Sequence, residues 1–408
     1  MIKKQEILNE AGNLKLSPNI VEKDYVLGWI LWGISQNKDL FEDWVFKGGT
    51  CLKKCYFDSY RMSEDLDFTL RKPEHLNAEF LTNIFTQISK QVYRASGIII
   101  PEDRLDFEFY TNPRGVISCL GKLYYSGPIA PTSPKQTPRI KLDLSADEIV
   151  VEPSAIKLVE HRYSDLPSGK IFIPSYSYVE IFAEKIRALS DRTRPRDLYD
   201  VIHFLRRPES AQLAEEVKRV LKVKCNFKDL PFPSYNSIEP LKNFCASGWK
   251  DQLSHQLPVL PSFESFWEDL SLFFEWLEHP EKRVKKLPEI SMSKKETIVT
   301  DVYNKNLEPS KTNLLTSLQF ASSNRLCAEV TYMGINRKKE IYTVEPYSLR
   351  ESNEEGLILY CINHLNGDLM KFSVKNLLKT TVVETHFVPS FQIDFLPNCQ
   401  FQAIISSS

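Results

Sequence analysis

The sequence predicts an α+β chain: a mixed α/β body, a helical extension and a small antiparallel β domain. Three observations predict it. Up to about residue 205, segments with apolar residues at three- and four-residue steps alternate with short period-two segments. The stretch that follows keeps helical spacing. Beyond about residue 320 alternation takes over, on both sides of Asn366-Gly367.

Taken in order, residues 1–40 predict helices from Ile7, Leu8 and Ala11, then Ile20, Val21, Tyr25, Leu27, Ile30 and Leu31. Residues 44–47 suit a short strand, Gly48-Gly49 a turn, 50–56 a helical turn or two, and 66–70 a second strand. Residues 77–96 return to helix. Segments 105–110, 116–125 and 140–144 suit strands, with a Pro-rich loop at 128–138. Val179, Phe182, Ala183, Ile186 and Leu189 form one helical stripe, and Pro195 opens a further helix through Leu198, Val201, Ile202 and Leu205. Residues 211–280 read as helical, with a Pro-rich interruption at 231–240 and aromatics from Phe263 to Trp276. The charged, aperiodic stretch that follows reads as a linker. The expected division is 1–210, 211–280, 281–318 and 319–408.

Composition excludes more than it assigns. With 52 Lys+Arg against 53 Asp+Glu, a polybasic protein is excluded, so any nucleic acid would be bound by a local patch. No stretch approaches the roughly 18 apolar residues of a membrane span. The N-terminal residues have no apolar core of a leader, and the eight Cys are scattered, so the expected location is cytoplasmic, with no membrane partner. Cys51 and Cys55 sit one helical turn apart without a nearby His, which suits core thiols.

The chemistry-bearing stretch is Phe46-Lys47-Gly48-Gly49-Thr50, followed by Ser63-Glu64-Asp65-Leu66-Asp67-Phe68. Period-two geometry puts Asp65 and Asp67 on one strand face. Adjacent carboxylates repel unless a cation sits between them, and such oxygens suit Mg²⁺ shared with substrate phosphates. A Gly-Gly-Thr turn at a helix start offers backbone N–H groups to a phosphate. On 139–144, Lys141 and Asp143 share a face, so a neighbouring strand would bring Asp143 to the same ions, as ligand or as salt-bridge partner. The expected site is a two-metal nucleotidyl-transfer centre.

The run Phe46-Lys47-Gly48-Gly49-Thr50-x-Leu52-x-Lys54, then Arg61-x-Ser63-Glu64-Asp65-Leu66-Asp67, resembles motif I of the AbiEii/AbiGii-type toxin nucleotidyltransferases, a branch of the DNA polymerase β-like superfamily. Glu184-Lys185-Ile186-Arg187-Ala188-Leu189, Arg192 and Arg196-Asp197-Leu198-Tyr199-Asp200 are similar to the family's downstream helical motif, and Val21-Glu22-Lys23-Asp24-Tyr25 to its N-terminal helix.

The resemblance implies a polymerase β-like core and a bacterial toxin of a toxin–antitoxin or abortive-infection system, with a cognate antitoxin. It further implies Mg²⁺-dependent transfer of NMP from an NTP to RNA, with the tRNA 3′ end the expected acceptor. By position, Gly48, Gly49, Thr50 and Ser63 would hold the triphosphate, joined by Lys47 and Lys141. Asp65, Asp67 and Asp143 would bind metal. Lys54 falls on a functionally important lysine and Lys185 on a phosphate-directed one, with Asp197 or Asp200 completing the pocket. Asp197 and Asp200 equally suit the dipole of a helix's first turn, Arg196 suits an ion pair with either or with Glu184, and Lys54 suits an exposed helix lysine. Arg187, Arg192, Arg194, Arg206 and Arg207 are the expected RNA contacts. A protein acceptor, or an NTP sensor without catalysis, are the alternatives.

Residues 342–350, 357–361, 372–377 and 387–391 resemble a WYL domain, a small SH3-like β-barrel that binds ligands or nucleic acid. Leu359-Tyr360-Cys361 stands where Trp-Tyr-Leu would be, and Asn376 replaces a basic residue. The resemblance implies a ligand- or partner-binding module.

Overall fold

A computed structural model describes residues 1–401 apart from 59, 113, 130–136, 168, 280–286, 292–294 and 335. Most of the Pro-rich loop 128–138, and part of the stretch read as linker, lie outside the described residues.

Three helices open the chain: α1 (Lys4–Leu14), α2 (Pro18–Ser35) and α3 (Lys38–Asp43). Pro18 occupies the first turn of α2, where its missing N–H costs nothing. Strand β1 (Trp44–Lys47) runs into the short α4 (Gly48–Cys51), and β2 (Asp65–Leu70) and α5 (Ala78–Ser96) follow. Next come β3 (Leu105–Thr111), β4 (Ile117–Tyr124), β5 (Arg139–Ser145), β6 (Ala155–Leu158) and β7 (Phe172–Ser175).

These seven strands form one mixed sheet in the order β3-β4-β5-β2-β1-β7-β6. Its centre decides the site. Strand β2 lies antiparallel to β1, pairing Lys47 with Asp67, and parallel to β5, pairing Asp65 with Lys141 and Asp67 with Asp143. Alternation sends Leu66, Phe68, Leu142 and Leu144, all fully buried, into the core. The carboxylates therefore take the opposite face. Strands β6 and β7 escape a sequence reading: each has four residues, and Pro174 marks β7 as a breaker. Yet β7 runs parallel to β1 within the sheet, at Phe46 and Ser175.

Helices α6 (Tyr178–Arg192) and α7 (Pro195–Leu205) are joined by Thr193, whose left-handed φ of 45° turns the chain. The Ser177 hydroxyl caps α6 by accepting the Glu180 N–H at 3.1 Å. The helical extension comprises α8 (Ala214–Phe227), α9 (Tyr235–Ile238), α10 (Lys242–Leu253), α11 (Phe263–Trp267) and α12 (Asp269–Glu278). Rings of Phe182, Phe204 and Trp276 stack where it meets the body, with centroids 4.4 and 5.5 Å from Phe182.

Two expectations change in the C-terminal part. The stretch read as linker contains β8 (Glu296–Ile298) and most of α13 (Pro309–Asn324). The helix hides because half of its buried residues are polar: Gln319, Ser322, Ser323 and Asn324 share the interior with Leu315, Leu318, Phe320 and Ala321. Strands β9 (Leu326–Met333), β10 (Lys339–Ser352), β11 (Gly356–Asn363), β12 (Leu369–Ser373) and β13 (Leu377–His386) form a sheet in the order β12-β11-β10-β9-β13, with β8 beside β10. Among the described residues β12 and β13 do not pair with each other, so the expected closed barrel is replaced by an open antiparallel sheet. Helix α13 packs against β9, β10 and β13.

The chain then returns to the body. The Asp58 N–H donates to the Asn398 carbonyl at 3.2 Å, the Gln400 N–H to Tyr56 O at 2.9 Å, and Arg207 Nη1 to Pro397 O at 2.8 Å. No helix among the described residues is long and apolar enough to cross a membrane.

Candidate active site

The polar face of β2 and β5 looks into a cleft of about 410 Å³, floored by Asp65, Asp67 and Asp143 and closed on one side by the β1–α4 turn and on another by α6 and α7. Lys47, Gly48, Gly49, Ser63, Lys185 and Asp197 also line it.

The glycine turn is fitted to the acids. Gly48 has φ +80°, and a Cβ there would lie 2.1 Å from Asp67 Oδ2; one on Gly49 would lie 2.9 Å from Ser63 Oγ and 2.8 Å from Arg61 Nη2. Only glycine gives both the backbone angle and the close approach. Gly48→Ala is therefore expected to push the Asp67 carboxylate aside, with nucleotidyl transfer falling at least about 100-fold while the melting point drops only a few degrees. Transfer assays beside thermal melts check this; near-normal turnover would show that the turn does not set the carboxylate's position.

The acids stand in mutual conflict. Burial, then the neighbouring charges of Asp143 and Asp65, pushes Asp67 up to about 6, against the pull of Lys47 and Lys185. Burial also raises Asp143, with Asp65 and Glu148 adding to it and Lys47 and Arg192 opposing. A site whose carboxylates resist ionisation while lining an open cleft suits a hard cation. The cluster is more open than a preformed cage: the one set of three His, Cys, Asp or Glu side chains with ligand atoms all within 4.8 Å, among the described residues, lies elsewhere.

Cations ring the other side. Lys185 Nζ lies 2.8 Å from Asp200 Oδ2 and 3.6 Å from Asp197 Oδ1. Arg192 holds Asp197 through Nε at 2.8 Å and Nη2 at 3.0 Å. Arg194, exposed, and Arg196, half-buried, face the cleft and have no carboxylate partner among the described residues. Acids on the floor and unspent arginines at the mouth suit a polyphosphate carried with a divalent cation.

A family model described as "Nucleotidyl transferase AbiEii toxin, Type IV TA system" matches residues 29–271, which include every residue of this cleft. The chain belongs to this family. It is thus a nucleotidyltransferase toxin of a type IV toxin–antitoxin system. Among solved structures, this AbiEii chain is similar to MenT4, a nucleotidyltransferase toxin of Mycobacterium tuberculosis H37Rv, at 18% identity and TM-score 0.47 over 68% of this chain and 90% of that one. A similarity to the proteasome accessory factor B/C of Arthrobacter aurescens has 8% identity and TM-score 0.19, over 92% of this chain and 74% of that one. No curated protein matches it.

Three expected site residues of the AbiEii chain are not brought to the cleft. Lys54, nearly fully buried, donates from Nζ to Asp24 Oδ2 at 2.7 Å and Asp24 O at 2.9 Å. Burial lowers its pKa, and Asp24, Tyr163 and Lys54 form a closed set, with the Tyr163 hydroxyl 3.0 Å from Asp24 Oδ2. Thr50 is also buried, its hydroxyl donating to the Asp65 carbonyl. Lys141 lies in an adjoining groove of about 370 Å³ with Lys23, Arg139 and Arg196, which meets the cleft at Asp65. Lys141 is opposite Asp65 on the strand pair, two residues nearer the strand start than Asp143. Lys54→Met is expected to cost about 3–5 kcal/mol of stability by leaving the Asp24 carboxylate buried without its counter-charge, with transfer per folded molecule within about threefold of normal. Denaturant melts and active-site titration separate the two; a large loss of turnover in folded protein would return Lys54 to the machinery.

The predicted RNA contacts are mostly spent internally. Arg187 pairs with Glu184 at 2.8 Å, Arg206 with Asp269 at 2.8 Å, and Arg207 with Glu209 at 3.1 Å. Arg196 pairs with none of Asp197, Asp200 and Glu184; Arg192, Arg61 and Lys185 hold the two aspartates, and Arg187 and Lys224 hold Glu184. Among the charged cleft residues to which the sequence assigns no role are Arg61 and Glu148. Arg61 stood inside the motif, whose spacing carried the signal. Glu148 follows β5 in an irregular segment where no periodicity marks it.

Proposed function

We propose that the chain transfers a nucleoside monophosphate from an NTP to an RNA hydroxyl, with the 3′ end of tRNA the expected acceptor, in a Mg²⁺-dependent reaction. The observation that carries the reading is the pairing of Asp67 with Asp143 on parallel strands, beneath a glycine turn that only a side chain-free residue permits. Asp65, Asp67 and Asp143 are the residues that would hold Mg²⁺. Bound there, such an ion supplies charge neutralisation on the triphosphate and acidifies a coordinated hydroxyl. Gly48 and Gly49 offer backbone N–H groups and Ser63 a hydroxyl to the phosphates. Lys47 and Lys185 flank the acids, and Arg194 and Arg196 neutralise charge entering from solvent. Asp197 positions Arg192 and Lys185. The groove carrying Lys141 and Arg139 is the approach for the acceptor's phosphates. The open C-terminal sheet, WYL-like in sequence, is a ligand or partner module, and the cognate antitoxin is the partner that restrains the toxin in the cytoplasm.

The test supplies each NTP, labelled at the α-phosphate, with Mg²⁺ and bulk bacterial RNA. Label on a tRNA-sized band is the expected result and names the base. Label only on polypeptide would move the acceptor to protein. NTP binding without any transfer would overturn the catalytic reading in favour of a sensor.

A further inference from the structure

We propose that Cys327, Glu345 and His364 form a site for a divalent transition metal of the zinc class, built on the C-terminal sheet and sharing no residue with the nucleotidyl-transfer cleft. Cys327 stands on β9, Glu345 on β10 and His364 just after β11. One ligand atom from each, sulfur, carboxylate oxygen and ring nitrogen, lies within 4.8 Å of the others. The three are distant in sequence and follow no Cys-x-x-Cys or His-x-x-His spacing, so only strand pairing brings them together.

The donor set identifies the ion. A thiolate and an imidazole beside one carboxylate suit zinc, cobalt or their neighbours and are poor ligands for magnesium. Thiolate plus carboxylate neutralise a dication, with His364 neutral. Binding releases the Cys327 thiol proton to solvent, and the ion replaces the 2.8 Å hydrogen bond between His364 Nδ1 and Glu345 Oε1.

The surroundings are built as a ligand's support would be. Glu345 Oε2 accepts the Tyr347 hydroxyl at 3.1 Å, and the Tyr347 oxygen in turn accepts the Ser390 N–H at 3.0 Å, fixing the carboxylate. The His364 N–H donates to the Thr343 carbonyl at 2.9 Å, tying the turn to β10. Cys327 is fully buried, whereas the His364 side chain is 31% exposed, which leaves a path from solvent. A Glu–His ion pair alone would explain two of the three residues, but not the thiol turned toward them. With one ion bound, three neighbouring strands of an open sheet share a clamp.

The experiment uses the full chain carrying Asp65→Asn and Asp67→Asn, so that the cleft does not compete for metal. Cobalt(II) is the probe, because a cobalt–thiolate bond gives a near-ultraviolet charge-transfer band. Expected is a band that saturates at one equivalent, is abolished by zinc and is untouched by magnesium. Cys327→Ser should remove the band, and His364→Ala should weaken cobalt binding at least about 100-fold. No band with cobalt in excess, or a band of unchanged affinity in His364→Ala, overturns the proposal. If Cys327→Ser does not fold, the partly exposed His364 still decides.

Discussion

Replacing Asp67 with Asn is expected to abolish nucleotidyl transfer and, without metal, to raise the melting temperature at neutral pH. Asp67 titrates at about 6 in the folded chain because burial and its neighbours Asp143 and Asp65 oppose its charge. An unfolded aspartate titrates near 3.9. The folded protein therefore binds this proton more tightly than the unfolded one. The associated stability is complete below the unfolded value and is lost as pH rises through about 6. At pH 7.5 the ionised carboxylate costs on the order of 1–2 kcal/mol after allowance for solvent screening, and Asn removes that cost. Melts at pH 7.5 and pH 4 check the sign: the variant's advantage should be present at the first and nearly gone at the second. A destabilised variant at pH 7.5 would mean that Asp67 is a structural partner.

Asp200→Ala should instead unfold the protein or nearly so. Asp200 is fully buried and takes Arg61 through Nε and Nη2, both at 2.7 Å. It also takes Lys185 at 2.8 Å and the Tyr60 hydroxyl at 2.5 Å. These cations hold its carboxyl well below the usual carboxylate range even though burial pushes the other way. Truncation leaves a buried guanidinium and a nearly buried ammonium without their main counter-charge, which costs about 3–5 kcal/mol. Urea midpoints test this, with Asp200→Asn expected to lose less because it keeps acceptor oxygen. Any folded fraction should also turn over poorly, since Arg61 reaches the Gly49 turn. A shift under about 1 kcal/mol would show that Arg61 and Lys185 find other partners.

The contrast between these variants explains what the sequence revealed. Strands carrying alternation over several residues, such as β2, β4 and β5, were readable because one buried face imposes period two. So was the face on which Asp65, Asp67 and Asp143 stand. Strands β6 and β7 were not, being too short to show a period and interrupted by Pro174. Motif spacing located Arg61, Lys185 and Asp200 but could not tell reacting groups from the ion pairs beneath them. Lys54 shows why: one helical turn past Thr50 is close enough in sequence for a phosphate, and only tertiary packing commits it to Asp24. The α13 helix was hidden because its buried residues include Gln319, Ser322, Ser323 and Asn324, which carry no hydrophobic period. Cys327, Glu345 and His364 gave no local signal, since a site assembled across strands leaves none.

Single-turnover transfer of α-labelled NMP to RNA by the unmodified chain and by Asp143→Asn, with Mg²⁺ present or chelated, tests the central claim most directly. The paired carboxylates on β2 and β5 predict labelled RNA only from the unmodified chain with Mg²⁺, and a loss of at least about 1000-fold in the variant. Transfer by Asp143→Asn at the unmodified rate, or transfer undiminished by chelation, would contradict it.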